Sequence, residues 1–180
     1  INPAHMVGGV PHAGPAQFPI PPLNLCYVAA LTPDDWVVRM IDENLRLEDG
    51  REWQPDLVGI TALTPSAPRA YELASRYRDE GATVVLGGIH ASMVPEEAAR
   101  YADAVVVGEA ESAWPRLVGD FEQGQLRPRY DGERIPLSEL PMPRRDLYPG
   151  RYFVETMITS KGCTNACEFC TGWRCCVRRH

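Results

Sequence analysis

Thr83-Val84-Val85-Leu86-Gly87-Gly88-Ile89-His90 and Ala104-Val105-Val106-Val107-Gly108-Glu109-Ala110-Glu111 decide the fold. Each is an unbroken apolar run ended by glycine. A strand with one wet face alternates apolar and polar side chains; these do not, so both faces must be covered, as in a parallel sheet between helical layers. Leu57-Val58-Gly59-Ile60-Thr61 is a third, nearly continuous apolar run, and residues 36–41 read as a fourth strand. Between the runs the apolar period lengthens. Ala67, Ala70, Tyr71, Ala74 and Tyr77 recur at i, i+3, i+4, i+7, behind Ser66 as an N-cap and ahead of Gly81 as a left-handed stop. Trp114, Leu117, Val118 and Phe121 repeat the stripe up to Gly124. Further helices are expected over 23–31 and from Pro95, where Glu96 and Glu97 suit the helix dipole. Strands and helices in alternation give an α/β fold, a parallel sheet with helices on both faces.

In such a sheet ligands sit beyond the carboxyl ends of the strands. The loops there are Thr61-Ala62-Leu63-Thr64-Pro65-Ser66, Gly87-Gly88-Ile89-His90-Ala91-Ser92 and Gly108-Glu109-Ala110-Glu111. Glycines let backbone approach a large flat ligand, while hydroxyls and amides offer it hydrogen bonds. Any one of these glycines could serve only a tight turn; three small, polar loops on one rim make the stronger case together.

Near the end, Cys163-Thr164-Asn165-Ala166-Cys167-Glu168-Phe169-Cys170 sets three thiols at C-x-x-x-C-x-x-C spacing. Three thiolates can wrap three corners of a 4Fe-4S cluster and leave one iron open to a substrate or cofactor. The competing reading is a closed zinc site completed by Cys175 or Cys176. Zinc knuckles, however, usually come as two pairs separated by a longer spacer, whereas here every candidate lies between Cys163 and Cys176. A disulfide framework fits less well, because five of the six cysteines crowd one end and no signal peptide or membrane-length apolar run is visible, which points to the cytoplasm.

A net charge of −6 offers no general surface for a polyanion, so nucleic acid is not expected as a partner, and no transmembrane segment is expected. From 126 to 150 the chain turns proline- and arginine-rich and reads as a linker, in which Arg144, Arg145 and Asp146 fit a solvated ion pair better than a substrate contact. Residues 152–159 read as a strand leading through Ser160-Lys161-Gly162 to the cysteines.

The cysteine triplet, with Phe169 just before its last member, resembles the signature of the radical S-adenosylmethionine (radical SAM) enzymes. The resemblance implies a cluster on Cys163, Cys167 and Cys170, S-adenosylmethionine chelating the fourth iron, and Phe169 near its adenine. Reductive cleavage there yields a radical that abstracts hydrogen from an unactivated carbon. Upstream, Pro21-Pro22-Leu23, Gly87-Gly88-Ile89-His90 and Gly108-Glu109-Ala110-Glu111 resemble the cobalamin-binding domain of cobalamin-dependent radical SAM enzymes. That likeness implies a flavodoxin-like (Rossmann-like) sheet with the corrin across its strand ends, against Thr61, Thr64, Ser66, Gly87, Gly88, His90, Gly108 and Glu109. It further implies methyl transfer to, or rearrangement of, a small molecule or lipid precursor, with a flavodoxin or ferredoxin as electron donor.

The implied organisation is a cobalamin-binding domain over 1–125, a linker over 126–150, and over 151–180 the first strand and loop of a partial TIM barrel. His5, in Pro3-Ala4-His5-Met6-Val7-Gly8, stands near the place of a cobalt-ligating histidine, but Pro3 replaces the aspartate that would orient it. The rest of the barrel does not follow, Ile1-Asn2-Pro3 resembles the end of a first strand, and residues 173–180 match no usual continuation. By itself the chain is therefore expected to be inactive. Two alternatives remain, a non-catalytic corrinoid-binding module and a radical SAM enzyme whose upstream domain no longer binds cobalamin.

Overall fold

Residues Met6–Val7 (β1) and Val10–Pro11 (β2) pair as a short antiparallel hairpin, ahead of helix α1 (Leu23–Ala30). The main sheet has four parallel strands in the order β3 (Leu57–Thr61), β4 (Thr83–Gly87), β5 (Ala104–Gly108) and β6 (Arg129–Gly132). Helix α2 (Ala67–Asp79) joins β3 to β4, α3 (Gly88–Met93) and α4 (Pro95–Ala98) join β4 to β5, and α5 (Ala110–Glu122) joins β5 to β6. This computed structural model describes residues 1–3, 6–7, 10–11, 20–45, 53–163, 165 and 167–170.

On the far side of β3 the sheet continues through residues 1–3. The Thr61 N–H donates to the Ile1 carbonyl at 3.0 Å, and Asn2 forms a parallel bridge with Asp42. The spatial order is thus 40–42, 1–3, β3, β4, β5, β6, with the order of the sheet reversing beside β3. That is the flavodoxin-like arrangement, whose switch point opens a crevice above the strand ends.

The absence of polar alternation in β4 and β5 has a direct consequence in the packing. Val84, Leu86 and Val105 face one layer, where they meet Ala70, Leu73, Ala74 and Tyr77 of α2, Ala91 of α3 and Ala98 of α4. Val85, Ala104 and Val106 face the other, against Ala113, Trp114, Leu117 and Val118 of α5, with Val28 of α1 beside them. Leu117 and Leu73 are fully buried; removing such a side chain from water contributes roughly 2 kcal/mol. Small residues at Ala70, Ala74 and Ala113 bring the helices close to the strands.

Five expectations need correction. Residues 36–41 are not a strand, because among the described residues their only neighbour in the sheet is the short segment 1–3 and the pairing reduces to the Asn2–Asp42 bridge. The stretch read as pure linker contains β6, whose Tyr130 is buried while Arg129 and Asp131 face out; one apolar side chain suffices at a sheet edge, too weak a period to read. The Gly-Gly-Ile-His segment is not only a loop but opens α3. Residues 152–159 form no strand but bend at 153–154 and 159, with Phe153 and Met157 exposed. Ser66, expected to cap α2, ends a 3-10 turn instead and bonds back to Leu63.

Candidate functional site at the strand ends

The loops after β3, β4 and β5 meet on one rim. Gly88 holds φ at +89°, and a Cβ there would stand 2.7 Å from Thr61 Oγ1 and 2.9 Å from the Ala62 backbone. Only glycine permits both that backbone conformation and that approach. Backbone bonds close the seam: Ala62 N–H donates to the Gly87 carbonyl and His90 N–H to the Ala62 carbonyl, each at 3.0 Å. Ser92 ties this seam to the next loop, donating to the Gly88 carbonyl at 2.8 Å and accepting from Gly108 N–H at 3.0 Å. Gly108, with φ +86°, in turn packs its α-carbon onto the Gly132 carbonyl at the end of β6.

The polar side chains beneath the rim are mostly engaged with each other. Tyr71 O–H donates to Glu97 Oε1 at 2.9 Å, so its oxygen accepts from His90 Nε2 at 3.0 Å, which leaves His90 Nδ1 to accept from Thr64 Oγ1 at 3.2 Å. Burial, then the bond and charge of Glu97, push the Tyr71 hydroxyl's pKa well above its ordinary value. Thr61 Oγ1 accepts from Asn24 Nδ2 at 3.1 Å. The Ser66 hydroxyl is buried and taken up by the Leu63 carbonyl, so it shapes the loop rather than facing the crevice. Above these groups Leu63 and Ile89 stand 45% and 41% exposed. Close backbone, small residues and two exposed aliphatic side chains fit the face of a large flat ring system such as a corrin.

A second set of contacts lies at the end of β5. Lys161 Nζ sits 2.9 Å from Glu109 Oε2 and 2.7 Å from Glu111 Oε1, with the three side chains 10%, 11% and 14% exposed. Burial alone would lower the ammonium pKa, but the hydrogen bonds to Glu111 and Glu109 hold it above its ordinary value. The Arg134 guanidinium donates to the Lys161 carbonyl. Glu109, expected beside the corrin, therefore has its carboxylate committed to Lys161. On the opposite side of the sheet, buried Asp42 accepts from Asn2 Nδ2, from the Asn44 backbone and side-chain amides, and from Tyr152 O–H at 2.7 Å.

The cysteine loop is held differently. Cys163 and Cys170 are exposed, Cys167 is half-buried, and all three are free thiols. Asn165 N–H donates to Cys163 Sγ at 3.4 Å and Cys170 N–H to the Cys167 carbonyl at 3.1 Å. Among the described residues no three His, Cys, Asp or Glu side chains converge on one point that a metal ion could occupy. The donor chemistry fits an iron–sulfur cluster, since three thiols stand ready on one short loop and one sulfur already accepts a backbone N–H. Phe169 is 91% exposed. His5, Cys175, Cys176 and the 171–180 tail lie outside the described residues.

Sequence reasoning gave Asn24 and Lys161 no role at the site and placed Ser92 only within the loop after β4. For Lys161 a signal existed: it is the only lysine in the chain, the remainder of the 18 lysine-plus-arginine residues being arginine. No helix among the described residues is long and apolar enough to cross a membrane.

Comparison with known proteins places this geometry. Residues 9–118 match the family model described as "B12 binding domain". Bacteriochlorophyllide d C-8(2)-methyltransferase of Chlorobaculum tepidum is 36% identical over 164 residues, which are 86% of this chain and 36% of that protein. Bacteriochlorophyllide d C-12(1)-methyltransferase of the same organism is 30% identical over 83% of this chain and 35% of its own length. Hopanoid C-2 methylase of Rhodopseudomonas palustris is 29% identical over 84% of this chain and 30% of its own. The chain thus spans about a third of the length of these curated relatives. With its glycine seam at the carboxyl ends of a flavodoxin-like sheet, the chain belongs to the B12-binding domain family.

Proposed function

We propose that this chain is the cobalamin- and cluster-binding portion of a cobalamin-dependent radical SAM methyltransferase. The observation that carries the reading is the juxtaposition of a B12-binding rim with a C-x-x-x-C-x-x-C loop whose leading residue, Lys161, is bonded to that rim. When bound, the cluster would supply one electron to S-adenosylmethionine and the corrin would carry the methyl group. The chain's own residues have simpler tasks. Gly88 and Gly108 let backbone lie close under the corrin, Leu63 and Ile89 cover its apolar face, and Cys163, Cys167 and Cys170 hold the cluster.

The relatives' names support a methyl acceptor of the same kind, a carbon of a large, mostly apolar ring system or lipid. The electron donor would be a small one-electron carrier such as a flavodoxin or ferredoxin, and the thiols suit a reducing, cytoplasmic setting.

Anaerobic reconstitution tests the cluster. The expected result is about four iron and four sulfide per chain, as a 4Fe-4S cluster requires, lost when the three cysteines are changed to serine. Stoichiometric zinc without sulfide would defeat it. Adding cobalamin should shift the corrin absorbance; no shift would favour a domain that has kept the fold and lost the cofactor.

A further inference from the structure

We propose that Lys161 is a positioning residue that aligns the cluster loop over the cobalamin rim, clamped between Glu109 and Glu111 at the carboxyl end of β5. The inference rests on the function proposed above. Its geometry is asymmetric in a telling way: the two carboxylates belong to the loop and first turn of α5 that follow a strand of the corrin-binding sheet, and the ammonium belongs to the segment that leads into the cysteines.

Distance makes the clamp useful. Only Gly162 separates Lys161 from Cys163, so the first cluster cysteine can stray no more than about 7 Å, Cα to Cα, from the clamped residue. Gly162 holds φ at +83°, and a Cβ there would meet Arg134 Nη1 at 2.8 Å, so the turn that follows Lys161 is pressed against the arginine that binds its carbonyl. Both the side chain and the backbone of Lys161 are therefore held by the sheet side, while Cys163 beyond it is exposed.

The choice of residue agrees. The chain's single lysine serves two carboxylates at once; Arg69 also reaches two, but it does so by splitting its fork, with Nε and Nη2 on Glu43 and Nη1 on Glu72. A compact ammonium with three donors fits between them, whereas a planar guanidinium favours bidentate contact with one carboxylate. Without the cation, Glu109 and Glu111 would face each other largely out of water, and like charges so placed repel. The ion pair thus also keeps the loop after β5 in the shape that presents Gly108 to the rim.

Two measurements test this on the wild-type protein and its variants. Because Lys161 is the only lysine, a zero-length carbodiimide applied without cofactors should join it to Glu109 or Glu111, as mass spectrometry of the peptides would show; no such crosslink in folded protein overturns the proposal. In protein loaded with cob(II)alamin and a reduced cluster, pulsed EPR reads the distance between the two spins. Lys161→Ala should broaden that distance distribution about twofold or more as the loop loses its restraint. Lys161→Arg should keep much of the restraint, and Glu109→Gln with Glu111→Gln should match Lys161→Ala. An unchanged distribution in Lys161→Ala, with both cofactors bound, overturns the positioning role. A wild-type protein that forms the crosslink but takes up neither cofactor overturns the functional reading, and the aligning role with it, and leaves the clamp as a feature of the fold alone.

Discussion

The rim at the ends of β3, β4 and β5 and the loop over residues 163–170 carry the two halves of one proposed activity, yet the fold holds them in opposite ways. The rim is made by packing. Gly88 sits against Thr61 and Ala62, Gly108 against Gly132, and Ser92 bridges the two loops, all above strands covered on both faces. Among its described residues the cysteine loop has no comparable burial: Cys163, Cys170 and Phe169 are exposed, and the thiols do not converge. The difference teaches that the rim is preorganised by the sheet, while under the proposed function the cysteine loop would be organised by its cluster and by the Lys161 tether. A structural metal site often folds only as the metal binds.

Substitutions can break this comparison, beginning at the rim. Gly88→Val forces a β-branched residue to φ +89° and drives its Cβ into the Ala62 backbone. Strain and overpacking together should cost about 4 kcal/mol, with corrin binding lost. Urea unfolding and corrin absorbance check both, and a variant of wild-type stability would show that the seam is not tightly packed.

Tyr152→Phe probes an intermediate case, the tether from the segment leading toward the cysteines to buried Asp42. Loss of that donor should cost about 1 kcal/mol. Burial, then the hydrogen bond and charge of Asp42, raise the Tyr152 pKa in the folded chain. The unfolded phenol, near its ordinary value of about 10, ionises first as pH rises. The contribution is therefore complete below pH 10 and is lost progressively above it. In the Phe variant the stability curve should be flatter above pH 10, which denaturant titrations at pH 8 and pH 11 would detect; equal slopes would mean Tyr152 is not coupled to folding.

At the small end, Cys163→Ser should change the stability of the cofactor-free chain by no more than about 0.5 kcal/mol, as for other exposed positions. Its iron uptake should nonetheless collapse, and its corrin binding should persist. A large loss of stability would mean that the loop is integrated into the core after all.

Much of the rim was legible because its causes are local. Continuous runs such as Thr83–Gly87 announce a strand buried on both faces, and a glycine at the end of such a run announces a close approach. The cysteine spacing was equally plain, since ligand spacing is a property of the chain itself. What stayed hidden depended on contacts distant in sequence. β6 carries a single buried side chain, Tyr130, and becomes a strand only because β5 offers it a ladder. Residues 36–41 carry the apolar residues of a strand, but among the described residues their backbone joins the sheet only at its end, where the Ile41 carbonyl accepts from Asn2 N–H beside the Asn2–Asp42 bridge, so the ladder never forms.

The sequence by itself determined the α/β class, the rim of strand-end glycines, and the three thiols, because each follows from side-chain periodicity, backbone freedom or ligand spacing within a few residues. Only the tertiary structure decided which polar groups remain available at that rim. It turned the Ser66 hydroxyl toward Leu63, locked His90 between Tyr71 and Thr64, and drew Glu109 away to Lys161. A buried or half-buried polar group takes the partner that folding brings near, and that partner is chosen by the packing of whole elements, not by neighbours in the chain.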